Sequence, residues 1–201
     1  ELLLRKRKPG PRKPRTGEKT TLEYTLIAAR HQGVLVPLPS AWANDLAEAL
    51  VLPALFPEAR ALRREVSVGR SRLDFLLEFG PGRDEQARPG PAAGELFLEV
   101  KNCSLVEEGT AMFPDAPTQR GLKHLGELEN LAERGHPAGV LFILMSPRAR
   151  RFVPNLHTDP AFARKLSDLE GKIWMRAVSV RIGEDGAAEL SNPGVPVDLG
   201  A

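Results

Sequence analysis

The sequence has little of what marks a secreted, membrane or zinc-binding protein. Among its 201 residues there is one cysteine, Cys103, so the chain cannot form an intrachain disulfide, and we expect a reducing, cytoplasmic setting. No apolar run reaches the roughly 18 residues that a membrane helix needs. No signal peptide is recognisable, because a basic run follows directly on the first four residues. His31, His136 and His157 lack the spacing of metal ligands, which argues against a zinc site.

Charge is balanced over the whole chain but not along it. The formal net charge is +2, which says little about a partner. The first nineteen residues are strongly basic, and they include Lys6 and Arg7. Such an arm favours contact with the phosphate backbone of DNA, although a solvated, flexible tail would have the same composition.

Glycine, proline and the hydrophobic pattern divide the chain into short elements. Residues 1–19 are predicted to be a loop or arm, and the segment after Gly183 a weakly structured tail. Ser40 is a candidate N-cap for a helix that Pro53 should stop. Between 102 and 117 we expect mostly irregular chain. Strands are predicted over 20–29, 34–36, 62–68, 72–79, 95–101, 138–145 and 173–182, and helices over 41–52, 118–134 and 159–169.

This order of elements predicts an α/β domain whose sheet begins with a meander and ends with crossovers. The two strands before residue 39 are too small to fold alone. We therefore divide the chain into a basic arm with a small β segment over 1–38, an α/β domain over 39–190 and a tail over 191–201.

Three polar residues interrupt otherwise apolar strands and form the candidate catalytic site. Glu99 and Lys101 lie two apart on one predicted strand and therefore share a face, and Asp74 lies on the preceding strand. Burying two carboxylates together destabilises a protein unless a cation offsets their negative charge, and Mg²⁺ or Mn²⁺ would suit Asp74 and Glu99 as ligands. Lys101 would then assist the attack of water on a phosphodiester. By itself the pattern also fits a surface pair of Glu99 and Lys101.

Longer segments give this pattern a family context. Residues 71–77 (SRLDFLL), 99–105 (EVKNCSL) and 113–128 (FPDAPTQRGLKHLGEL) closely resemble the SfsA, or sugar fermentation stimulation protein, family. The resemblance implies a PD-(D/E)XK restriction-endonuclease-like domain, a mixed sheet flanked by helices, preceded here by the remnant of an OB-type β-barrel. It places Asp74, Glu99 and Lys101 on the nuclease-like positions, and it implies binding to DNA.

Several residues around the triad have two interpretations. Arg120, Lys123 and His124 form a cationic cluster near the start of a predicted helix, where phosphate could bind, or they belong to a solvated helix face. Asp115 is either an additional acid at the site or a turn residue. Arg72 either neutralises Asp74 or touches phosphate, or it is a surface residue at a strand edge.

Three functions fit these observations. The first is a metal-dependent endonuclease or related phosphodiesterase. The second is a non-catalytic DNA-binding regulator of sugar (maltose) metabolism genes, and the third is a remnant of the fold with another partner. The intact set of Asp74, Glu99 and Lys101 favours the first function, because carboxylates repel phosphate unless a metal is present.

Overall fold

The computed structural model describes residues 1–6, 24–69, 71–80 and 94–200. Its centre is a six-stranded mixed sheet with the strand order β12-β11-β9-β6-β5-β4. The strands are β4 (Ala59–Val68), β5 (Ser71–Phe79), β6 (Glu95–Cys103), β9 (Ala138–Leu144), β11 (Trp174–Ile182) and β12 (Ala188–Val195).

The strand directions confirm a mixed sheet that starts as a meander and continues through crossovers. Strands β4, β5 and β6 pair antiparallel, whereas β6, β9 and β11 run parallel to one another. Every residue of β9 is buried, as expected for a strand in the middle of a parallel region covered on both faces. The last strand, β12, pairs antiparallel with β11. The prediction of a weakly structured segment after Gly183 is therefore wrong, because pairing with β11 orders it.

A helical segment precedes the sheet. It consists of α1 (Ala41–Leu46), a π-helical turn over Ala47–Val51 and α2 (Leu52–Leu55). Pro53 does not end the helix as predicted. The preceding turn is widened to the π form, and a wider turn relieves the clash between a proline ring and the carbonyl one turn back.

Two longer helices cover the sheet. They are α3 (Gln119–Glu133) and α4 (Pro160–Asp168), and each begins one residue after the start that the sequence predicted. Thr118 Oγ1 accepts a hydrogen bond from the Gly121 N–H, and Asp159 Oδ1 accepts one from the Phe162 N–H. In the described ranges, no helix is long and apolar enough to cross a membrane.

A second small sheet replaces the irregular chain predicted over 102–117. It has the order β10-β8-β7, formed by β7 (Val106–Glu107), β8 (Thr110–Phe113) and β10 (Arg151–Pro154). Strand β8 pairs parallel with β10, which is about forty residues further along the chain. Local sequence could not indicate this pairing, because its hydrogen bonds depend on the crossover through α3 and β9.

The N-terminal strands form a third sheet, in the order β1-β2-β3. It contains β1 (Leu2–Lys6), β2 (Tyr24–His31) and β3 (Val34–Pro37). The prediction of a loop over the first residues is wrong for Leu2–Lys6, which pairs antiparallel with β2. Lys6 is exposed on this strand, whereas Arg7 and the rest of the basic arm up to residue 23 lie outside the described residues.

Hydrophobic side chains fill both faces of the central sheet. On one face Leu125, Leu128 and Phe162 of the long helices pack against the sheet. On the other face Ala43, Ala47 and other residues of the first helical segment pack against Phe75 and its neighbours. The middle of the sheet is thus held between helices, and polar groups there must find partners inside the protein.

Candidate functional site

The candidate site lies where two neighbouring strands part. The ladder between β5 and β6 runs from the pair Glu78 and Glu95 to the pair Phe75 and Leu98. The next residue of β5 is Asp74 and the next residue of β6 is Glu99. Asp74 and Glu99 are therefore the first residues beyond the end of the β5–β6 backbone ladder, where side chains rather than backbone hydrogen bonds connect the two strands.

Asp74 joins the separated strands and the first helix. Its Oδ2 accepts a hydrogen bond of 2.8 Å from the Val100 N–H, and its Oδ1 accepts one of 2.8 Å from Asn44 Nδ2 on α1. Burial raises the pKa of Asp74, and the nearby Glu99 carboxylate raises it further, against the lowering by Val100, Asn44 and Lys101. The ionised form of Asp74 is thus disfavoured in the folded protein unless more positive charge is added.

Glu99 is almost fully enclosed, with 3% of its surface exposed. Its Oε1 accepts hydrogen bonds from Lys101 Nζ, at 2.7 Å, and from His124 Nδ1 on α3. Burial by itself would raise the pKa of Glu99, but the bonds from His124 and Lys101 outweigh it, and the pKa is lowered. This carboxylate is therefore held in its ionised form.

The second oxygen of Glu99 is the most unusual atom of the site. Oε2 is buried and has no hydrogen-bond partner among the described residues. A buried carboxylate oxygen without a hydrogen-bond partner destabilises the folded protein unless another group, such as a cation, binds to it. Glu99 lies close enough to Asp74 to raise its pKa, and Oε2 has no donor of its own among the described residues, so an added cation would supply the missing positive charge to both carboxyl groups.

These residues fit a divalent cation that keeps much of its coordination for water or substrate. Two carboxylates would supply side-chain oxygens, and Mg²⁺ is commonly held by one or two carboxylates together with water and phosphate. The described ranges contain no group of three His, Cys, Asp or Glu side chains placed to hold a metal. Asp115 is exposed and does not join Asp74 and Glu99 in such a group.

The cationic residues predicted around the triad separate into two kinds. Arg120 and Lys123 lie exposed on the first turns of α3. His124 is buried, with 5% of its surface exposed, and it bonds to Glu99. The interpretation that His124 lies on a solvated helix face is therefore wrong. Arg72 is exposed and pairs with Glu65 at 2.8 Å, so it does not neutralise Asp74 directly.

Two partners of the carboxylates were not foreseen as such. Asn44 was not among the predicted site residues, and His124 was predicted to contact phosphate or to lie on a solvated helix face. The burial of His124 did have a sequence signal, because it lies three residues after Gly121 and four before Leu128 on the stripe of α3 that faces the core. For Asn44 no local pattern points to a partner thirty residues away.

Comparison with known proteins shows the family. Residues 39–186 match the model described as "Sugar fermentation stimulation protein RE domain". The chain belongs to the SfsA family. The resemblance noted in the sequence is thereby confirmed, and the matched range covers β4, β5, β6, β9 and β11 of the central sheet, both long helices and the candidate site.

Relatives within the SfsA family are similar over most of this chain. A sugar fermentation stimulation protein homolog of Methanothermobacter thermautotrophicus is 38% identical over 169 residues, which is 83% of this chain and 62% of that protein. A homolog of Desulforamulus reducens is 36% identical over 154 residues, which is 75% of this chain and 59% of that protein. The chain thus spans about 60% of the length of these two relatives.

A solved SfsA structure has the same overall arrangement. It is described as "The structure of Pyrococcus Furiosus SfsA in complex with Ca2+" and is 30% identical in sequence. The TM-score is 0.75, and the likeness covers 92% of this chain and 76% of that one. The SfsA fold therefore extends over most of this chain.

Proposed function

We propose that this SfsA-family chain is a DNA-binding, metal-dependent phosphodiesterase whose cation is held by Asp74 and Glu99. The single observation that carries the proposal is the pair of adjoining carboxylates, one of which has a buried oxygen that no described residue contacts by a hydrogen bond. A protein that only binds DNA has no evident need for two such acids, because they repel phosphate.

The proposed metal site rests on the preference of hard divalent cations for carboxylate oxygens. The Pyrococcus furiosus relative is described in complex with Ca²⁺, a cation that binds carboxylate oxygens as Mg²⁺ and Mn²⁺ do. When bound, the cation would supply Lewis acidity toward a phosphodiester. Asp74 and Glu99 would hold it, and its charge would favour the ionised form of Asp74, which burial and Glu99 disfavour.

Lys101 is the proposed catalytic cation of the protein itself. Its ammonium lies 2.7 Å from Glu99, and 8% of its surface is exposed. An ammonium fixed beside the carboxylates can donate to a phosphate oxygen or orient an attacking water, and a dry environment strengthens both interactions. Asp74, Glu99 and Lys101 are thus assigned the positions of a PD-(D/E)XK site.

The DNA part of the proposal rests on cationic side chains near the same helix. Arg120 and Lys123 are exposed on the turn of α3 that precedes His124, so phosphates that reach them come close to the carboxylates. Arg72 and Lys6 are further exposed candidates for phosphate contact. Contacts of this type position a duplex without reading its sequence, which fits a backbone-directed hydrolase working in a cytoplasmic setting.

Cleavage of supercoiled plasmid DNA tests the proposal. We expect nicking with Mg²⁺ or Mn²⁺, none with EDTA, and loss of nicking in Asp74→Ala and Lys101→Ala. Lys172→Ala, which removes an exposed lysine in the turn between α4 and β11, is the matched control and should cleave as the wild type does. Cleavage that survives both site substitutions would overturn the catalytic assignment.

Measuring the DNA affinity of the same proteins distinguishes the proposed phosphodiesterase from a non-catalytic DNA-binding regulator. Affinity for DNA should fall steeply between 50 and 200 mM salt, by about 10³-fold if six phosphates are neutralised. Arg120→Ala should weaken binding and flatten that dependence. Salt-dependent binding without cleavage in any divalent cation would instead favour the non-catalytic regulator of sugar metabolism genes.

A further inference from the structure

We infer that His124 is a positioning residue for the cation site, acting through Glu99 rather than through contact with DNA. This inference rests on the proposed metal site and adds a residue to it. The observation that carries it is the asymmetry of the Glu99 carboxylate: Oε1 accepts two hydrogen bonds, whereas Oε2 has no partner among the described residues.

Two donors on one oxygen fix the orientation of a carboxylate. A carboxyl group that is held through one donor can still turn about its last carbon–carbon bond, and its two oxygens can exchange places. Lys101 and His124 approach Oε1 from different elements, β6 and α3. Together they prevent that rotation, and Oε2 is kept for an incoming cation.

The two donors are not equivalent. Lys101 lies on the same strand as Glu99, two residues away, so it moves with the carboxylate and holds it only through a long, flexible side chain. His124 lies 25 residues away on α3, beside the fully buried Leu125. The imidazole bond therefore fixes Glu99 relative to the second helical layer, and it leaves the ammonium of Lys101 available to a substrate.

The burial of His124 also argues for a role through Glu99 rather than through direct contact with DNA. Its surface is 5% exposed, while the neighbouring Arg120 and Lys123 are exposed. An imidazole that donates through Nδ1 to a buried carboxylate resembles the outer-shell partners of metal ligands, whose removal costs about 10- to 100-fold in metal affinity.

The test compares three substitutions of His124 by cation binding rather than by cleavage. In His124→Asn the amide nitrogen lies near the position of Nδ1 and can donate to Oε1, whereas in His124→Gln it lies one bond further out. His124→Leu removes the donor and keeps the bulk. Binding of Ca²⁺ and Mn²⁺ is measured by titration calorimetry, and thermal unfolding in EDTA shows that each variant is folded.

We expect His124→Gln and His124→Leu to weaken cation binding about 10- to 100-fold, and His124→Asn to stay within about threefold of wild type. The affinity for DNA in EDTA should not change in any of them. Equal cation affinity in wild type and His124→Leu, while Asp74→Asn abolishes binding, would overturn this inference alone. A wild-type chain that binds neither cation would overturn both this inference and the proposed function. Weakened cation binding in all three variants would overturn the positioning role, because His124→Asn would then fail to restore the affinity.

Discussion

Asp74 provides a test in which two small substitutions should change stability in opposite directions. The acid accepts hydrogen bonds from Asn44 Nδ2 and the Val100 N–H, yet burial and Glu99 raise its pKa. A folded pKa above the unfolded value means that the stabilisation is complete below about pH 4 and is lost as pH rises through the folded pKa. At neutral pH and without metal, the ionised Asp74 therefore destabilises the fold.

Asp74→Asn should remove that cost and keep most of the hydrogen bonding. Its amide oxygen can accept from the Val100 N–H, and the amide of Asn44 can turn to accept from the new NH₂ group. We expect a gain of about 1 kcal/mol, which is a rise of about 2–4 °C in Tm for a chain of this length. Asp74→Ala leaves both donors without an acceptor and should cost about 1–3 kcal/mol.

Addition of a cation should reverse this order. At about 100 times its Kd, a ligand stabilises the native state by about 2.7 kcal/mol, so wild type should gain about 5–10 °C in Tm with Ca²⁺ or Mn²⁺. Neither variant should respond. Scanning fluorimetry in EDTA and in excess cation at pH 4 and pH 7.5 measures all of these values.

A surface acid on the same strand gives the control. Glu78 pairs with Arg63 and is partly exposed, and such a pair is worth about 0–1 kcal/mol. Glu78→Gln should therefore leave the response to the cation unchanged. The reasoning is refuted if Asp74→Asn is destabilised as much as Asp74→Ala at pH 7.5 in EDTA, or if it responds to the cation as wild type does.

Three further predictions concern the framework around the site. Asp159 accepts hydrogen bonds from the backbone N–H groups of Thr118 and Phe162, and these bonds lower its pKa. Asp159→Ala should lower the free energy of unfolding, measured in urea, by about 1–2 kcal/mol. This cost should shrink as pH falls below about 4, because a carboxyl group whose pKa is lowered by folding loses its stabilising effect when it is protonated. Burial, together with the charge of Asp115, raises the pKa of Cys103 to about 12. The thiol should therefore not react with a disulfide reagent at pH 8 until urea unfolds the chain. A fast reaction of the native protein would contradict the burial of Cys103. Gly139 lies against β11, where an added Cβ would stand 2.6 Å from the Trp174 carbonyl oxygen; Gly139→Ala should lower the free energy of unfolding by about 1–3 kcal/mol, and an unchanged midpoint would show that the strands are further apart.

Much of the main sheet could be predicted because its signals are local. The continuous apolar run of β9 indicated a strand covered on both faces, and the alternation along β6 placed Glu99 and Lys101 on one face. The starts of α3 and α4 were predicted to within one residue, because the N-caps Thr118 and Asp159 accept from N–H groups only three residues further along the chain.

Elements that depend on a distant partner could not be predicted in this way. Strand β1 begins a segment, residues 1–19, that is rich in proline, glycine, lysine and arginine, and β12 contains proline and glycine. This composition favours loops, and only pairing with β2 and β11 orders the two strands. The same holds for β8, whose parallel partner β10 lies on the other side of a crossover.

The sequence by itself determined which polar residues interrupt the apolar strands, because alternation along a strand and the spacing of acids are properties of the chain. It did not determine how these residues are held. Asn44 meets Asp74 across 30 residues and His124 meets Glu99 across 25. Such contacts exist only once two helices have packed on opposite faces of the sheet, and that packing leaves Oε2 of Glu99 buried without a hydrogen-bond partner in the described part of the chain.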